Sequence, residues 1–229
     1  MNIAIVIPAR LKSSRLKEKM LIDFDGEPLI RLVFDKCRTM GHDCYVVTDS
    51  EKIAKHITRE NVIMSHETEN GTARIASVIN KLNYDVIINV QGDMLDITVD
   101  VIKPIVTACN KYLNKGWVNK VITAYKKGYD PAGVKIIHQN GKACWFTRHD
   151  VGYGDQHLGI YAYKPSFLKK YHLLKNNDTE DLEQNRILNY YDIIPIKVKY
   201  DGSEINTKED INSWSMFDRE RDTSHDFSS

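Results

Sequence analysis

The sequence predicts an α/β fold: a mostly parallel central sheet covered by helices, with a small antiparallel extension. Three observations carry this. Through the first half, short apolar runs alternate with segments of helical period. Residues 86–90, Val-Ile-Ile-Asn-Val, are apolar on both faces, as central parallel strands are. The second half then changes to strand-like segments with few helices between them. At 229 residues the chain suffices for one large domain, or a domain with a smaller lobe.

The first element is an apolar strand over residues 3–7 that stops at Pro8. It opens into a loop carrying Arg10, Arg15 and Lys19, with small Ser13 and Ser14 between them. A buried strand delivers its loop to the sheet edge where ligands of open α/β folds bind. Convergent cations on a turn of small residues suit a polyphosphate, although a solvated basic loop has the same composition. The glycine patterns of P-loops and dinucleotide fingerprints are absent.

Residues 29–40 form an amphipathic helix, with Ile30, Val33, Phe34 and Cys37 on one face and Gly41 closing it. A strand over 44–47, a helix over 51–57 and a short strand over 62–64 follow. Asn70-Gly71-Thr72 precedes a helix with Ile75, Ile79 and Leu82 at helical spacing. Gln91-Gly92-Asp93 sits at the end of the 86–90 strand. Strands over 118–124, 134–137, 143–147 and 158–163 read as the antiparallel extension. Helices over 166–174 and 179–190, a strand over 194–198 and a helix over 207–214 capped by Thr207 complete the reading. The polar tail 218–229 has little to bury and is expected to be disordered.

Lys and Arg number 32 against 31 Asp and Glu, a formal charge of +1, so bulk charge suggests neither a nucleic-acid nor a membrane partner. No apolar run approaches a membrane span, and the first lacks the basic segment of an export signal. Cys37, Cys44, Cys109 and Cys144 are scattered without metal-type spacing. Together these predict a reducing, cytoplasmic setting in which the cysteines are small buried side chains.

Several residues sit where chemistry is done. Asp93, directly after a buried strand, reads either as a magnesium ligand beside a polyphosphate or as a cap on the following turn. Asn70-Gly71-Thr72 offers backbone amides at a helix start, which suit a base edge or a phosphate. Arg148 and His157 flank apolar strands and read equally as strand-end residues. Glu183, Gln184 and Arg186 share a helix that reaches a polar ligand or faces solvent.

Order adds what no single motif carries. Ile7-Pro8-Ala9-Arg10, Ser13, Arg15-Leu16 and Lys19 resemble the N-terminal signature of the 3-deoxy-D-manno-octulosonate cytidylyltransferases, the CMP-KDO synthetases. Asn70-Gly71-Thr72 with Arg74 resembles that family's Ser-Gly-Thr-Glu-Arg block, and Asn89-Val90-Gln91-Gly92-Asp93 its Asn-Val-Gln-Gly-Asp block. His157-Leu158-Gly159-Ile160-Tyr161, Leu182-Glu183-Gln184 and the segment from Ile205 to Ile211 extend the likeness over residues 2–212.

The resemblance implies a Rossmann-like three-layer nucleotidyltransferase fold: one domain over 1–217, with about 118–165 as the antiparallel dimerisation and sugar-binding part. It implies a homodimer that couples CTP to a 2-keto-3-deoxy sugar acid, releasing pyrophosphate, in lipopolysaccharide biosynthesis. Arg10, Lys19 and Asp93 would be catalytic. Pro8, Ala9, Arg10, Ser13, Arg15 and Lys19, with Asn70, Gly71, Thr72 and Gln91, would hold the nucleotide. Gln91, Arg148, His157, Tyr161, Glu183 and Gln184 would hold the sugar acid, Arg148 meeting its carboxylate. Magnesium would lie on Asp93 and on the position occupied by Asn206.

Four departures from the family stand out. Asn206 replaces an aspartate, Met94-Leu95 replaces Glu-Pro, Ala73 replaces a glutamate, and the segment between Arg148 and His157 is short. These are expected to fall near the metal and the sugar. They leave two alternatives: a related transferase with another nucleotide or acceptor, and a nucleotide-binding protein without turnover.

Overall fold

The computed structural model describes residues 1–13, 16–24, 26–175, 180, 182–202, 205, 207 and 209–211. Along the chain, β1 (Ile3–Ala9) leads through a single 3₁₀ turn (Lys19–Leu21) to a short hairpin, β2 (Asp23–Phe24) and β3 (Glu27–Pro28). Then come α1 (Leu29–Arg38), β4 (Asp43–Thr48), α2 (Glu51–Ala54), β5 (Val62–Met64), α3 (Gly71–Val78) and β6 (Val86–Asn89). The long helix α4 (Val99–Asn114) precedes four strands: β7 (Lys120–Lys126), β8 (Lys135–Gln139), β9 (Lys142–Thr147) and β10 (Asp155–Tyr163). The turn α5 (Pro165–Leu168), the helix α6 (Glu183–Leu188) and β11 (Asp192–Lys197) follow.

β1 is central because it is apolar on both faces: Ala4, Ile5, Val6 and Ile7 are fully buried. Each such aliphatic side chain contributes about 1.5–3 kcal/mol on burial. β1 pairs in parallel with β4 and β6, and β5 extends the sheet beyond β4. β10 pairs antiparallel with β6 and with β7, and β11 runs parallel to β7 at the far edge. The β8–β9 hairpin joins through β8 to the start of β10. Two apolar layers result, one on each face of the sheet. The expected parallel sheet with an antiparallel extension is therefore present.

Differences from the expected elements have local causes. β1 does not stop at Pro8 but runs to Ala9, paired with Thr48. The β6 ladder ends at Val6, so proline's missing N–H interrupts nothing on that side. The expected 51–57 helix is one α turn, continued by 3₁₀-type bonds such as Ile57 N–H to the Ala54 carbonyl. The longest helix, α4, has no counterpart in the sequence reading. It buries Val101, Ile102, Ile105, Ala108 and Cys109 at helical spacing and tolerates Pro104 in its interior.

The expected 166–174 and 179–190 helices shrink to α5 and α6; residues 176–179 lie outside the described residues. Thr207 does cap the turn 209–211, its Oγ1 accepting from Asp210 N–H at 3.2 Å while Asp210 accepts from Thr207 N–H at 2.7 Å; residues 208 and 212–214 of the expected helix lie outside the described residues. The tail 218–229 lies outside the described residues. Cys37, Cys44 and Cys109 are buried, whereas Cys144 is exposed on the outer face of β9, against expectation. All four are free thiols.

Candidate active site

A cavity of about 860 Å³ opens where β1 and β6 end, and its far wall belongs to the β7–β10 strands and α6. The chain reaches it from eight separated segments. Pro8, Arg10, Ser13 and Lys19 line one end, with Asn70, Gly71 and Arg74 beside them. Gln91, Gly92 and Asp93 form the middle. Arg148, His157, Gly159, Tyr161, Glu183, Gln184 and Arg186 line the other end. Such a volume suits a nucleotide with a small partner.

Two residues expected at the nucleotide do not line this cavity. The Ala9 side chain is in the core. Thr72 is fully buried and shares a 2.7 Å hydrogen bond with the Tyr163 hydroxyl, tying α3 to β10 rather than facing a ligand. Arg15 and Asn206 lie outside the described residues.

At the β1 end the geometry is electrostatic. Glu18, a non-glycine residue at φ 49°, turns the chain so that Lys19 enters the 3₁₀ turn facing Asp93. Lys19 Nζ donates to the Asp93 carboxylate, both side chains being largely buried. Gly92 packs closely there: a Cβ would stand 2.7 Å from Met20 Sδ, in the turn that carries Lys19, so Met20 would have to shift. Lys36 Nζ donates to the Leu95 carbonyl at 2.6 Å and braces the turn after Asp93. Arg10 is exposed and, among the described residues, its guanidinium makes no hydrogen bond.

Asn70 caps α3, its side-chain oxygen accepting from Ala73 N–H at 2.8 Å. Its amide nitrogen donates to the Tyr171 hydroxyl at 3.1 Å. Arg74 is buried and fixes the loop before α3 by donating to Asp49 at 2.8 Å and Ser65 at 2.7 Å.

At the β10 end the geometry is directional. A register shift between His157 and Tyr161 spends extra residues around Gly159, which has φ 66°. In a regular strand these rings would stand about 13 Å apart; here their centroids are 5.3 Å apart. Gln91 Nε2 donates to the Gly159 carbonyl at 2.8 Å, joining the β6 end to the bulge.

Hydrogen-bond accounting fixes the His157 tautomer. Thr123 gives its hydroxyl proton to the Ile160 carbonyl at 2.8 Å, so at 2.8 Å from His157 Nε2 it accepts. Nε2 carries the proton, and Nδ1 accepts from Gly159 N–H at 3.3 Å. Burial, aided by the Arg148 charge, pushes His157 down to about 3, so the ring is neutral near pH 7. Burial likewise raises the Glu183 carboxyl above its ordinary value. Tyr161 Oη, Glu183 Oε2 and Gln184 Oε1 are buried without hydrogen-bond partners among the described residues. Each costs stability unless a ligand or water meets it.

A family model for cytidylyltransferases matches residues 4–217. The chain belongs to the cytidylyltransferase family. It is 34% identical to the 3-deoxy-manno-octulosonate cytidylyltransferase of Francisella tularensis subsp. novicida, over 92% of this chain and 96% of that one. The second such enzyme of Actinobacillus pleuropneumoniae serotype 5b is 30% identical over the same shares. A solved CMP:2-keto-3-deoxy-manno-octonic acid synthetase complexed with CTP superposes with a TM-score of 0.85 at 26% identity, covering 96% of this chain and all of that one. These relatives also confirm the nucleotidyltransferase fold.

Two departures from the family move away from the cavity. Met94 and Leu95 are fully buried in the core beneath it. Ala73 packs on the other apolar layer and lines a separate groove. None of Met94, Leu95 and Ala73 lines the cavity, which corrects the expectation that these departures fall beside the metal and the sugar. Asp96 stands beside Gly202 and does not line the cavity. The cavity wall includes Lys126, Asp130 and Gly133, which sequence reading did not single out. No motif marks them, because a long-range turn between β7 and β8 brings them in.

Proposed function

We propose that this chain is a cytidylyltransferase that couples CTP to 3-deoxy-D-manno-octulosonate, or a close 2-keto-3-deoxy sugar acid, giving the CMP-sugar and pyrophosphate. The observation that carries the reading is the convergence in one cavity of the β1 cations, Asp93, and the buried polar wall of His157, Tyr161, Glu183 and Gln184. The activity named for the relatives fits both halves.

In this reading the phosphates lie against Arg10, Lys19 and Ser13, with the amides that open α3 beside the nucleotide. The sugar acid's carboxylate meets Arg148, and its hydroxyls meet Tyr161, Glu183 and Gln184. The anomeric hydroxyl oxygen forms a bond to the α-phosphorus as the bond to the β-phosphate oxygen breaks; the hydroxyl proton leaves to solvent and pyrophosphate departs. Positioning and charge neutralisation supply most of the acceleration. His157, neutral and held at both nitrogens, orients the wall rather than moving a proton.

Magnesium fits the residues present. The cavity offers the Asp93 carboxylate, and no cluster of three or more acidic, histidine or cysteine ligands occurs among the described residues. Magnesium needs few protein carboxylates when phosphate and water complete its shell. Asp93 would hold it, and it would neutralise phosphate charge. A homodimer, and a cytoplasmic setting, complete the proposal; the family likeness supports the first. No described helix is long and apolar enough to cross a membrane.

Mass-spectrometric detection of the CMP-sugar after incubation with CTP, magnesium and 3-deoxy-D-manno-octulosonate tests the reading. Its formation supports it; a folded protein that yields none contradicts it.

A further inference from the structure

We propose that Lys135 is a positioning residue for the sugar-acid half of the site: its buried ammonium fixes the backbone that carries Arg148. The inference rests on the sugar-acid role given to Arg148 above. Lys135 opens β8 between β10 and β9 and is fully buried. Its Nζ donates to the carbonyls of Pro131 at 3.0 Å, Gly133 at 2.8 Å and Arg148 at 2.9 Å. Three donors meet three acceptors, so the ammonium is fully satisfied.

The same side chain supports the short segment after Arg148. Gly154, at φ 111°, packs so closely that a Cβ would stand 3.2 Å from the Lys135 Cβ. The Tyr129 ring centroid lies 5.9 Å from Nζ, and the Tyr129 hydroxyl meets Asp150 and accepts from Gly152 N–H at 2.9 Å. Arg148 N–H donates separately to Glu180 at 2.7 Å. Both backbone polar groups of Arg148 are thereby held. Its guanidinium makes no hydrogen bond among the described residues, so what is fixed is the backbone from which it reaches.

The fold alone does not call for this charge. An apolar side chain would fill the same space without desolvating an ammonium. Pro131 and Arg148 are exposed, so water can satisfy their carbonyls in its absence. What the ammonium adds is a fixed distance between the 131–133 turn, where Gly133 lines the cavity, and Arg148.

Lys135→Met and Lys135→Arg in the full chain test this with two readouts. In hydrogen exchange of the free protein, Lys135→Met should speed amides at 132–134 and 149–154 by about tenfold while leaving 70–78 unchanged. In kinetics it should raise KM for the sugar acid about tenfold and leave KM for CTP within about twofold. Lys135→Arg, which keeps a cation on the carbonyls, should recover most of both effects. Unchanged exchange in those two segments, or equal rises in both KM values, overturns the proposal. Should Lys135→Met fail to fold, Lys135→Gln, which can donate to at most two of the three carbonyls, takes its place: equal KM rises for both substrates, or none, overturn the proposal, and a rise confined to the sugar acid upholds it. A wild-type chain inactive with CTP and sugar acid defeats the assigned reaction instead, and the exchange readout still decides whether Lys135 holds the Arg148 backbone.

Discussion

The two ends of the cavity use different physics. At the β1 end, charges are carried on loops that leave parallel strands: Arg10 is exposed, and Lys19 is held by Asp93. At the β10 end, the groups are buried and directional: a neutral His157 with its tautomer fixed, and unpaired oxygens on Tyr161, Glu183 and Gln184. The first end suits a flexible, highly charged ligand whose exact pose is set by charge. The second suits a rigid polyol whose hydroxyls must match fixed partners. A polyphosphate and a sugar acid divide in the same way.

The sharpest way to break this comparison is Asp93→Asn. It removes the carboxylate to which Lys19 donates and should lower turnover about a thousandfold, with the far-ultraviolet dichroism unchanged. Near-normal pyrophosphate release would sink the assignment. Arg148→Lys comes next. Losing the planar fork should raise KM for the sugar acid about tenfold and alter that for CTP by less than about twofold. Equal losses would erase the distinction between the two ends.

His157 sharpens the contrast through pH. Its folded value, about 3, lies below its ordinary 6.5, so the unfolded chain binds the extra proton between those values. The stability it contributes is present above pH 6.5 and is lost as pH falls towards 3, at up to about 1.4 kcal/mol per unit. Glu183, raised by burial, opposes this slope in the same range, so the difference is the test: in denaturant unfolding from pH 6.5 down to 4, His157→Gln should lose less stability than the parent chain. Burial alone would raise Asp155, yet the Gly128 amide, His138 and Lys127 hold it below 3.8, outside that range. An unchanged slope in His157→Gln would remove the buried neutral ring from the account.

Tyr161→Phe should act oppositely on stability and binding. Deleting a buried hydroxyl that stands beside the Glu183 carboxyl without a well-formed hydrogen bond should stabilise the free protein by about 1 kcal/mol, read by urea midpoint, while KM for the sugar acid rises several-fold. A stability loss would mean that the hydroxyl is already satisfied. The smallest effect is expected from Asn206→Asp, argued from the family likeness alone. A restored charge should lower the magnesium concentration for half-maximal turnover by about threefold. No change would separate position 206 from the metal.

The two ends also differed in how legible they were. Pro8 to Lys19 and Gln91 to Asp93 are contiguous because a strand and its following loop deliver them together, so their motifs survive as strings. The opposite wall draws on β7–β8, β9, β10 and α6; Arg148, His157, Glu183, Gln184 and Arg186 read as candidates by position, and Tyr161 only through the family likeness. Lys126, Asp130 and Lys135 gave no signal, since their meaning depends on a turn whose partners are distant in sequence. The bulge at Gly159 was equally silent, though it sets His157 beside Tyr161. Among elements, α4 escaped because Pro104 masks its period, while the apolar β1 and β6 were plain. Met94 and Ala73 were placed at the site because their motif neighbours are there; Met94 is buried in the core, and half-buried Ala73 packs on the other layer beside a separate groove.

The most direct test of the divided cavity is initial-rate pyrophosphate release with each of the four nucleoside triphosphates against a panel of 2-keto sugar acids and simple aldose phosphates, at fixed magnesium. The account predicts release with CTP and a 2-keto-3-deoxy sugar acid, falling away when either the base or the acid is changed. Release with another nucleotide and an aldose phosphate, or binding of CTP with no release at all, would contradict it.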